Sequence, residues 1–240
     1  MTDREAQFSP LTAARIIGGL YLLIILFGIA SEAVVRQSLI VQGDVAVTAS
    51  NILASQGLFR FSFLADSIML LSDVAVAVLF YLLLRPVNKT LALVTVAFRL
   101  TQTAVLALNL LNQHAALLVL TSADYAAFDT ATRNTLAYLM LDRHAHGYDL
   151  GLLFFGVHCL LLGYLIAKST FFPKALGVLV MAAALPYLIG SYVHFLLPEF
   201  VGSVAPIYLV ALVAEGSLCG WLLTKGVNVK RWMALNAQLA

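Results

Sequence analysis

Charged side chains are scarce in this sequence. Asp, Glu, Lys and Arg together make up 11% of its 240 residues, whereas hydrophobic residues make up 62%. Soluble domains carry roughly 25% charged residues, so this composition excludes an ordinary soluble domain. The apolar residues gather in six long runs, which is the pattern of a protein that crosses a membrane several times.

Cysteine is equally rare. The two residues present, Cys159 and Cys219, both lie deep inside apolar runs. This placement excludes a disulfide framework and a cysteine-based zinc site as organising features of the fold. We interpret both residues as small apolar core residues.

Recognisable catalytic motifs are also lacking. The sequence contains no G-x-S-x-G elbow, no phosphate-binding loop, no dinucleotide-binding G-x-G-x-x-G, no H-E-x-x-H and no C-x-x-C. It has no basic surface of the kind that binds nucleic acid. We therefore expect no cofactor, no resident metal and no nucleic-acid partner. The lack of catalytic motifs argues against an enzyme.

The apolar runs predict an all-α polytopic membrane protein with six transmembrane helices in one bundle. The predicted spans cover residues 15–35, 61–84, 91–119, 149–167, 174–197 and 205–224. Six spans of about 20 residues and their connections nearly exhaust the length, so we expect residues 1–240 to form a single membrane domain. Pro186, inside the fifth span, should kink it.

Lys and Arg are divided unevenly between the two sides of this topology, nine against four. The larger group contains Arg4, Arg15, Arg85, Lys89, Lys168, Lys174, Lys225, Lys230 and Arg231. Because basic residues accumulate on the cytoplasmic side, we expect a multi-pass protein of the cell membrane with both termini in the cytoplasm. The long connections 36–60 and 121–147 are then external, and each contains an amphipathic run. We expect two external amphipathic helices that lie flat over the outer mouth of the bundle.

Four spans carry an ionisable side chain near mid-membrane. Counted from the basic flanking residues at ~1.5 Å per residue, Asp73 lies ~18 Å, and Arg99, His158 and Glu215 each ~15 Å, from the cytoplasmic edge. A charge there costs ~2.5–3.5 kcal/mol, so these groups should meet inside the bundle. We expect a buried polar network of Asp73, Arg99, Gln102, His158 and Glu215, with Arg99 paired to Asp73. A structural lock, a proton relay and a ligand site all remain open for it.

A second polar layer is expected in the outer half of the membrane. Its members come from four spans and are Glu32, Asp66, Asn109, Asn112, His114 and His194. Such stripes indicate a water-containing cavity that reaches from the midplane to the outside, and we predict the ligand site there. Carboxylates and imidazoles also bind zinc, but no metal-binding spacing is present. Asp149 is expected in the first turn of the fourth span.

Four short segments carry a resemblance to a known family. They are Arg-Ile-Ile-Gly-Gly-Leu-Tyr at 15–21, Gly-Tyr-Leu-Ile-Ala-Lys-Ser at 163–169, Pro-Lys-Ala-Leu-Gly at 173–177 and Trp-Leu-Leu-Thr-Lys-Gly at 221–226. As an ordered set they resemble a family of bacterial six-helix integral membrane proteins, the domain of unknown function DUF4386, over roughly residues 10–230. The resemblance implies a prokaryotic membrane protein and carries over no catalytic residue. Physically, Gly18 and Gly163 should allow close helix approach.

Three functions are compatible with these features. The first is a membrane protein that binds a small or lipid-like ligand in an outward-opening polar cavity. The second is a small proton-coupled transporter, which would need a passage on both sides of the midplane. The third is an intramembrane metal-assisted hydrolase, which would need a bound metal. The expected partners are the lipid bilayer and a small-molecule or lipid ligand, and the oligomeric state is left open.

Overall fold

A computed structural model describes residues 9–238, which fold into helices joined by short connections. The α-helices are α1 Pro10–Ile29, α2 Gln37–Leu39, α3 Val45–Ala54, α4 Gln56–Leu84, α5 Lys89–Thr121, α6 Thr130–Lys168, α7 Lys174–Ala182, α8 Ala184–Leu196, α9 Val201–Val204, α10 Tyr208–Thr224 and α11 Val229–Asn236. A π-helical segment, Ala30–Arg36, joins α1 to α2, and single 3₁₀ turns cover Ala123–Tyr125, Pro198–Phe200 and Ala205–Ile207.

Six helical stretches are long and apolar enough to cross a membrane, so the chain is an all-α multi-pass membrane protein. They run over Pro10–Leu39, Gln56–Leu84, Lys89–Thr121, Thr130–Lys168, Lys174–Leu196 and Pro198–Thr224. Large apolar side chains such as Leu71 and Leu108 are 73% and 69% exposed on the outside of the bundle. Such an apolar surface is suited to contact with lipid rather than with water.

One end of the bundle, the basic end, is where the connections before α5, α7 and α11 meet. Arg15 donates to the carbonyl of Thr224 over 2.9 Å, and Trp232 of α11 donates its indole N–H to the carbonyl of Leu83 over 2.8 Å. We call the opposite end the distal end.

Helix α6 departs from the sequence-based expectation. It begins at Thr130, where Asp129 caps it by accepting the Thr132 N–H over 2.8 Å, and it runs for 39 residues without a break. The amphipathic run expected as a separate external helix is therefore helical but continuous with the fourth span. At ~1.5 Å per residue this helix is nearly twice as long as a bilayer core of ~30 Å requires. Asp149, expected in its first turn, lies well inside it.

The first and fifth spans are irregular. In the first, the wider π-helical turn lets Arg36 contact Ser31, five residues earlier, with a distance of 2.8 Å between Nη1 and Oγ. In the fifth, α7 ends at Ala182 and α8 begins at Ala184. Pro186 has no N–H for the carbonyl of Ala182, and its ring crowds that carbonyl, which confirms the expected kink.

Three apolar clusters divide the interior into layers along the bundle axis. The distal cap consists of Val35, Leu39, Ala49, Ile52, Phe59, Ala116, Leu117, Leu120, Ala137 and Leu141. Below it, after a polar layer, lies the apolar barrier of Met69, Leu70, Leu106 and Leu110. The largest cluster fills the basic end, from Tyr21 and Val76 to Trp232. Two polar layers are therefore separated by an apolar one.

Glycines set the closest helix contacts. A Cβ on Gly163 of α6 would lie 2.5 Å from the backbone nitrogen of Met181 and 2.6 Å from the carbonyl oxygen of Gly177, both in α7. A Cβ on Gly18 of α1 would lie 2.9 Å from the backbone nitrogen of Leu223. The close approaches expected at Gly18 and Gly163 are thus confirmed, and they are backbone contacts that cannot yield by a rotamer change.

We predict that Gly163→Ala lowers the free energy of unfolding in detergent by about 1–3 kcal/mol, because an added methyl group would force α6 and α7 apart. Gly220→Ala is the matched control, since nothing lies within 4 Å of a Cβ there. Alanine is the better helix former by about 0.5–1 kcal/mol, so the control should be neutral or stabilised. Equal destabilisation of both variants in thermal or denaturant unfolding would contradict this packing.

Candidate functional site

The first polar layer, the midplane layer, is built around Arg99, whose side chain is fully buried. Its Nε donates to Oδ1 of Asp73 over 3.1 Å, and Nη2 contacts the same carboxylate. Gln102 donates to the other carboxylate oxygen over 3.4 Å. The guanidinium lies over the ring of Tyr21 at 5.2 Å and the ring of Phe155 at 5.3 Å. The structure thus brings Asp73, Arg99 and Gln102 together as expected.

His158 completes this layer as a neutral imidazole. Its Nδ1 lies 2.9 Å from the carbonyl oxygen of Thr95, which can only accept, so Nδ1 carries the proton. Its Nε2 lies 3.0 Å from Nη1 of Arg99, which can only donate, so Nε2 offers its lone pair. If the ring were protonated, Nε2 would also carry a hydrogen and would face the N–H of Arg99 Nη1, and two donors cannot form a hydrogen bond. The positive charge of the layer therefore resides on Arg99 alone and is balanced by Asp73.

Glu215 lies apart from that ion pair. The hydroxyl of Tyr187 donates to it, and the Tyr187 ring packs against Phe155 at 5.0 Å. Glu215 forms no salt bridge with any residue in the described part of the chain. Of the five residues expected in the midplane network, it is the one that neither hydrogen-bonds to Arg99 or Asp73 nor forms a salt bridge with them, although it is close enough to interact electrostatically with both.

The second polar layer, the distal layer, lies between the apolar barrier and the distal cap and is built around Arg36. This arginine is only 6% exposed. Its Nε donates to Glu32 over 2.7 Å, and its Nη1 donates to Oδ2 of the buried Asp66 over 2.6 Å. The ring of Tyr148 lies 5.7 Å from its Cζ. Three helical stretches, the π-helix, α4 and α6, meet at this one guanidinium.

Two atoms of this ion pair have no hydrogen-bond partner among residues 9–238. They are Nη2 of Arg36, a donor, and Oδ1 of Asp66, an acceptor, and both are buried. Oε1 of Gln113, in the same layer, is a third such atom. Buried polar groups left unpaired cost about 1–3 kcal/mol each, so this layer presents unused hydrogen-bonding capacity.

Amide side chains of α5 form the rest of the distal layer. Gln113 donates to Oγ of Ser62 over 2.5 Å, and Asn109 donates to the backbone carbonyl of His144 over 2.7 Å. Asn112 donates to Oδ1 of Asn109 over 2.9 Å. The rings of His144 and Tyr148 are 6.3 Å apart, and the Tyr148 ring lies beside Arg36, so Asn109 and Asn112 lie near the ion pair without bonding to it.

Two of the predicted ligand-binding residues lie elsewhere. His114 is exposed on α5, with its ring beside Phe63 at 6.1 Å. His194 bonds to Asp149, and its ring lies 4.4 Å from that of His146. The structure therefore joins Glu32 and Asp66 through Arg36 and joins Asn109 to Asn112. Within the described residues, neither histidine hydrogen-bonds to that cluster, although Asp149, the partner of His194, is close enough to Glu32 to interact with it electrostatically.

The sequence analysis missed Arg36, Ser31, Tyr148 and His144. Arg36 and His144 fall within 36–60 and 121–147, the two connections that were expected to be external. The spacing of Glu32 and Arg36, four residues apart at the end of an apolar run, was the available signal. Among residues 9–238, no three His, Cys, Asp or Glu side chains are grouped so as to hold a metal ion.

We predict that Arg99→Leu costs about 3–5 kcal/mol of unfolding free energy, because it leaves the buried Asp73 carboxylate unpaired. The double variant Arg99→Leu/Asp73→Leu should recover most of that loss. Lys89→Leu, at the exposed start of the same helix, serves as the control and should stay within about 0.5 kcal/mol of the wild type. Unfolding in detergent measures all three, and equal instability of the single and double variants would contradict the pairing.

Comparisons with known proteins identify the family of this chain. A family model described as a domain of unknown function, DUF4386, matches residues 16–226. An uncharacterised protein of Archaeoglobus fulgidus is 32% identical over 166 residues, which is 69% of this chain and 84% of that relative. No solved structure matches the chain. That relative is archaeal, so a bacterial source stays a prediction. Both matches cover most of the chain, and the protein belongs to the DUF4386 family of membrane proteins of unknown function.

Proposed function

We propose that this protein binds a small polar ligand inside the membrane, in the distal layer around Arg36 and Asp66. The observation that carries the proposal is the pair of unpartnered atoms, Nη2 of Arg36 and Oδ1 of Asp66, on two side chains that are already ion-paired. Together they fit a ligand that presents an anionic or carbonyl oxygen beside an N–H or O–H donor. Free amino acids and hydroxy acids have that chemistry.

The surroundings support a ligand site more than a purely structural lock. In the midplane layer, the charged groups of Arg99 and Asp73 and both ring nitrogens of His158 find partners within residues 9–238, and the atom without a partner there is the neutral amide oxygen of Gln102. In the distal layer the same kind of ion pair keeps one charged donor and one charged acceptor open. Glu32, Asn109 and Asn112 lie in the same layer and can contact a ligand there, whereas His114 and His194 are peripheral to it.

The buried part of the proposed site, Arg36 and Asp66, lies below the distal cap and above the apolar barrier, whereas the side chain of Glu32 is 54% exposed. We expect a ligand that enters from the distal end to displace the cap. Helix α3, of ten residues, contributes Ala49 and Ile52 to the cap and is joined to its neighbours by short connections, so it is the element we expect to move.

A proton-coupled carrier is the second candidate. The observation that favours it is the break between α7 and α8, followed by Tyr187, which donates to Glu215. Discontinuous helices beside an ionisable group are typical of transporter ion sites, and Glu215 has no cationic partner in the described residues. If the protein is such a carrier, a pH gradient across the membrane should drive uptake of the ligand. The structure offers no comparable support for a metal-assisted hydrolase.

We also propose that the protein lies in the cell membrane with both termini in the cytoplasm. The basic residues that flank the spans support this orientation, since Lys89, Lys168, Lys174 and Lys225 all lie at the basic end. The distal cap would then face the outside.

This orientation predicts the labelling of single cysteines by a membrane-impermeant thiol reagent. Ala127→Cys, in the exposed connection before α6, should react in intact cells. Lys230→Cys, exposed on α11, should react only after permeabilisation. The wild type is the blank, because both native cysteines are buried. Labelling of position 230 but not of position 127 in intact cells would reverse the topology.

For the ligand, we predict that at least one member of a panel of free amino acids, hydroxy acids and small carboxylic acids raises the melting temperature of the purified protein. At a free ligand concentration about 100 times the Kd, the melting temperature should rise by about 5 °C or more. Arg36→Leu/Asp66→Leu should abolish this rise without unfolding the protein, because replacing both partners of a buried ion pair is tolerated.

The matched control is Arg99→Leu/Asp73→Leu, which removes an ion pair of the same kind from the midplane layer. This variant should still show the ligand-induced rise in melting temperature. The proposal fails if no member of the panel stabilises the wild type. It also fails if the two double variants respond alike.

A further inference from the structure

A groove of about 390 Å³ opens at the basic end of the bundle, far from the distal layer. It is formed where the connection between α6 and α7 meets the connection between α10 and α11. Its lining residues are Thr170, Phe171, Phe172, Pro173, Trp221, Lys225, Gly226, Val227, Asn228 and Arg231. The groove plays no part in the proposed function.

Hydrogen bonds between the two connections hold the groove in shape. The backbone N–H of Asn228 donates to the carbonyl of Phe171 over 3.1 Å, and Arg231 donates to the carbonyl of Thr170 over 3.0 Å. The indole N–H of Trp221 donates to the carbonyl of Gly226 over 2.9 Å. Gly226 has a φ of +66°, a conformation that suits glycine. The groove is therefore a built feature of the fold.

The lining of the groove is cationic and aromatic. Among residues 9–238, the charged residues that line it are Lys225 and Arg231, and none of its lining residues is Asp or Glu. Phe171 and Phe172 are buried beneath it, so an apolar surface lies directly beside the two cations. Lys225 immediately follows the last residue of α10, which places its ammonium group where a transmembrane helix leaves the hydrocarbon core.

We propose that this groove binds the headgroup of an anionic phospholipid. The phosphodiester would lie between Lys225 and Arg231, where two cations can bind its oxygens. The aromatic floor and the position at the membrane interface favour a phosphate attached to a lipid over a free one. Such a lipid would bridge α10 and α11 and stabilise the basic end.

The test uses the full-length protein, delipidated in detergent and titrated with phosphatidylglycerol under native mass spectrometry. Lys225→Gln/Arg231→Gln should weaken the first phosphatidylglycerol site roughly 30-fold, the amount expected for two lost basic contacts. The control is Lys174→Gln/Lys230→Gln, which removes equal charge from the same end but outside the groove. It should change the first site by no more than about twofold.

Several outcomes would overturn the proposal. They are equal binding of phosphatidylcholine by the wild type, equal weakening in the control pair, and full competition by inorganic phosphate, which would make the groove a site for free anions. Arg231→Lys keeps the charge and should bind within a few-fold of the wild type. If the double variant does not fold, the single variant Lys225→Gln tests the proposal. The Lys225 side chain forms no hydrogen bond within residues 9–238, so its replacement should not disturb the fold. An unchanged first site in that variant would also refute the proposal.

Discussion

Two buried arginines share one helix as the source of their buried counterions. A guanidinium cannot lose its proton, so each arginine inside the bundle must find a carboxylate, and the two buried carboxylates come from α4, while the more exposed Glu32 also pairs with Arg36. Asp66 and Asp73 lie two helical turns apart on one face of that helix and pair with Arg36 of the first span and Arg99 of α5. These two bonds fix the register of both neighbours against α4, and the layers of the interior follow from that register.

The two ion pairs have different surroundings, and this difference separates structure from function. Around Arg99, a neutral His158 and Gln102 complete the hydrogen bonding of the charged groups. Around Arg36, a charged donor and a charged acceptor stay open within the described chain. The apolar barrier lies between the two layers. A binding site above the barrier accounts for this arrangement more simply than a continuous channel does.

Depth counting from the sequence placed Asp73, Arg99, His158 and Glu215 at one level because straight helices of known rise cross between fixed interfaces. Depth counting did not predict that Arg36 is buried. The π-helical segment turns this residue inward, and the periodicity of the sequence does not predict a π-helical turn. Depth counting also failed for the start of α6. Outside the bilayer, lipid does not restrict composition, so the polar residues after Thr130 were predicted to form a separate external helix. Side-chain partners such as Tyr187 for Glu215 depend on tertiary packing, which residue depth does not specify.

The most direct test of this account is an experimental density map of the protein in a lipid nanodisc, at a resolution that shows ordered small molecules. The account predicts a non-protein feature that contacts both Nη2 of Arg36 and Oδ1 of Asp66, with Met69, Leu70, Leu106 and Leu110 in unbroken contact beneath it. A water-filled passage through those four side chains, or protein groups bonded directly to both open atoms, would contradict it.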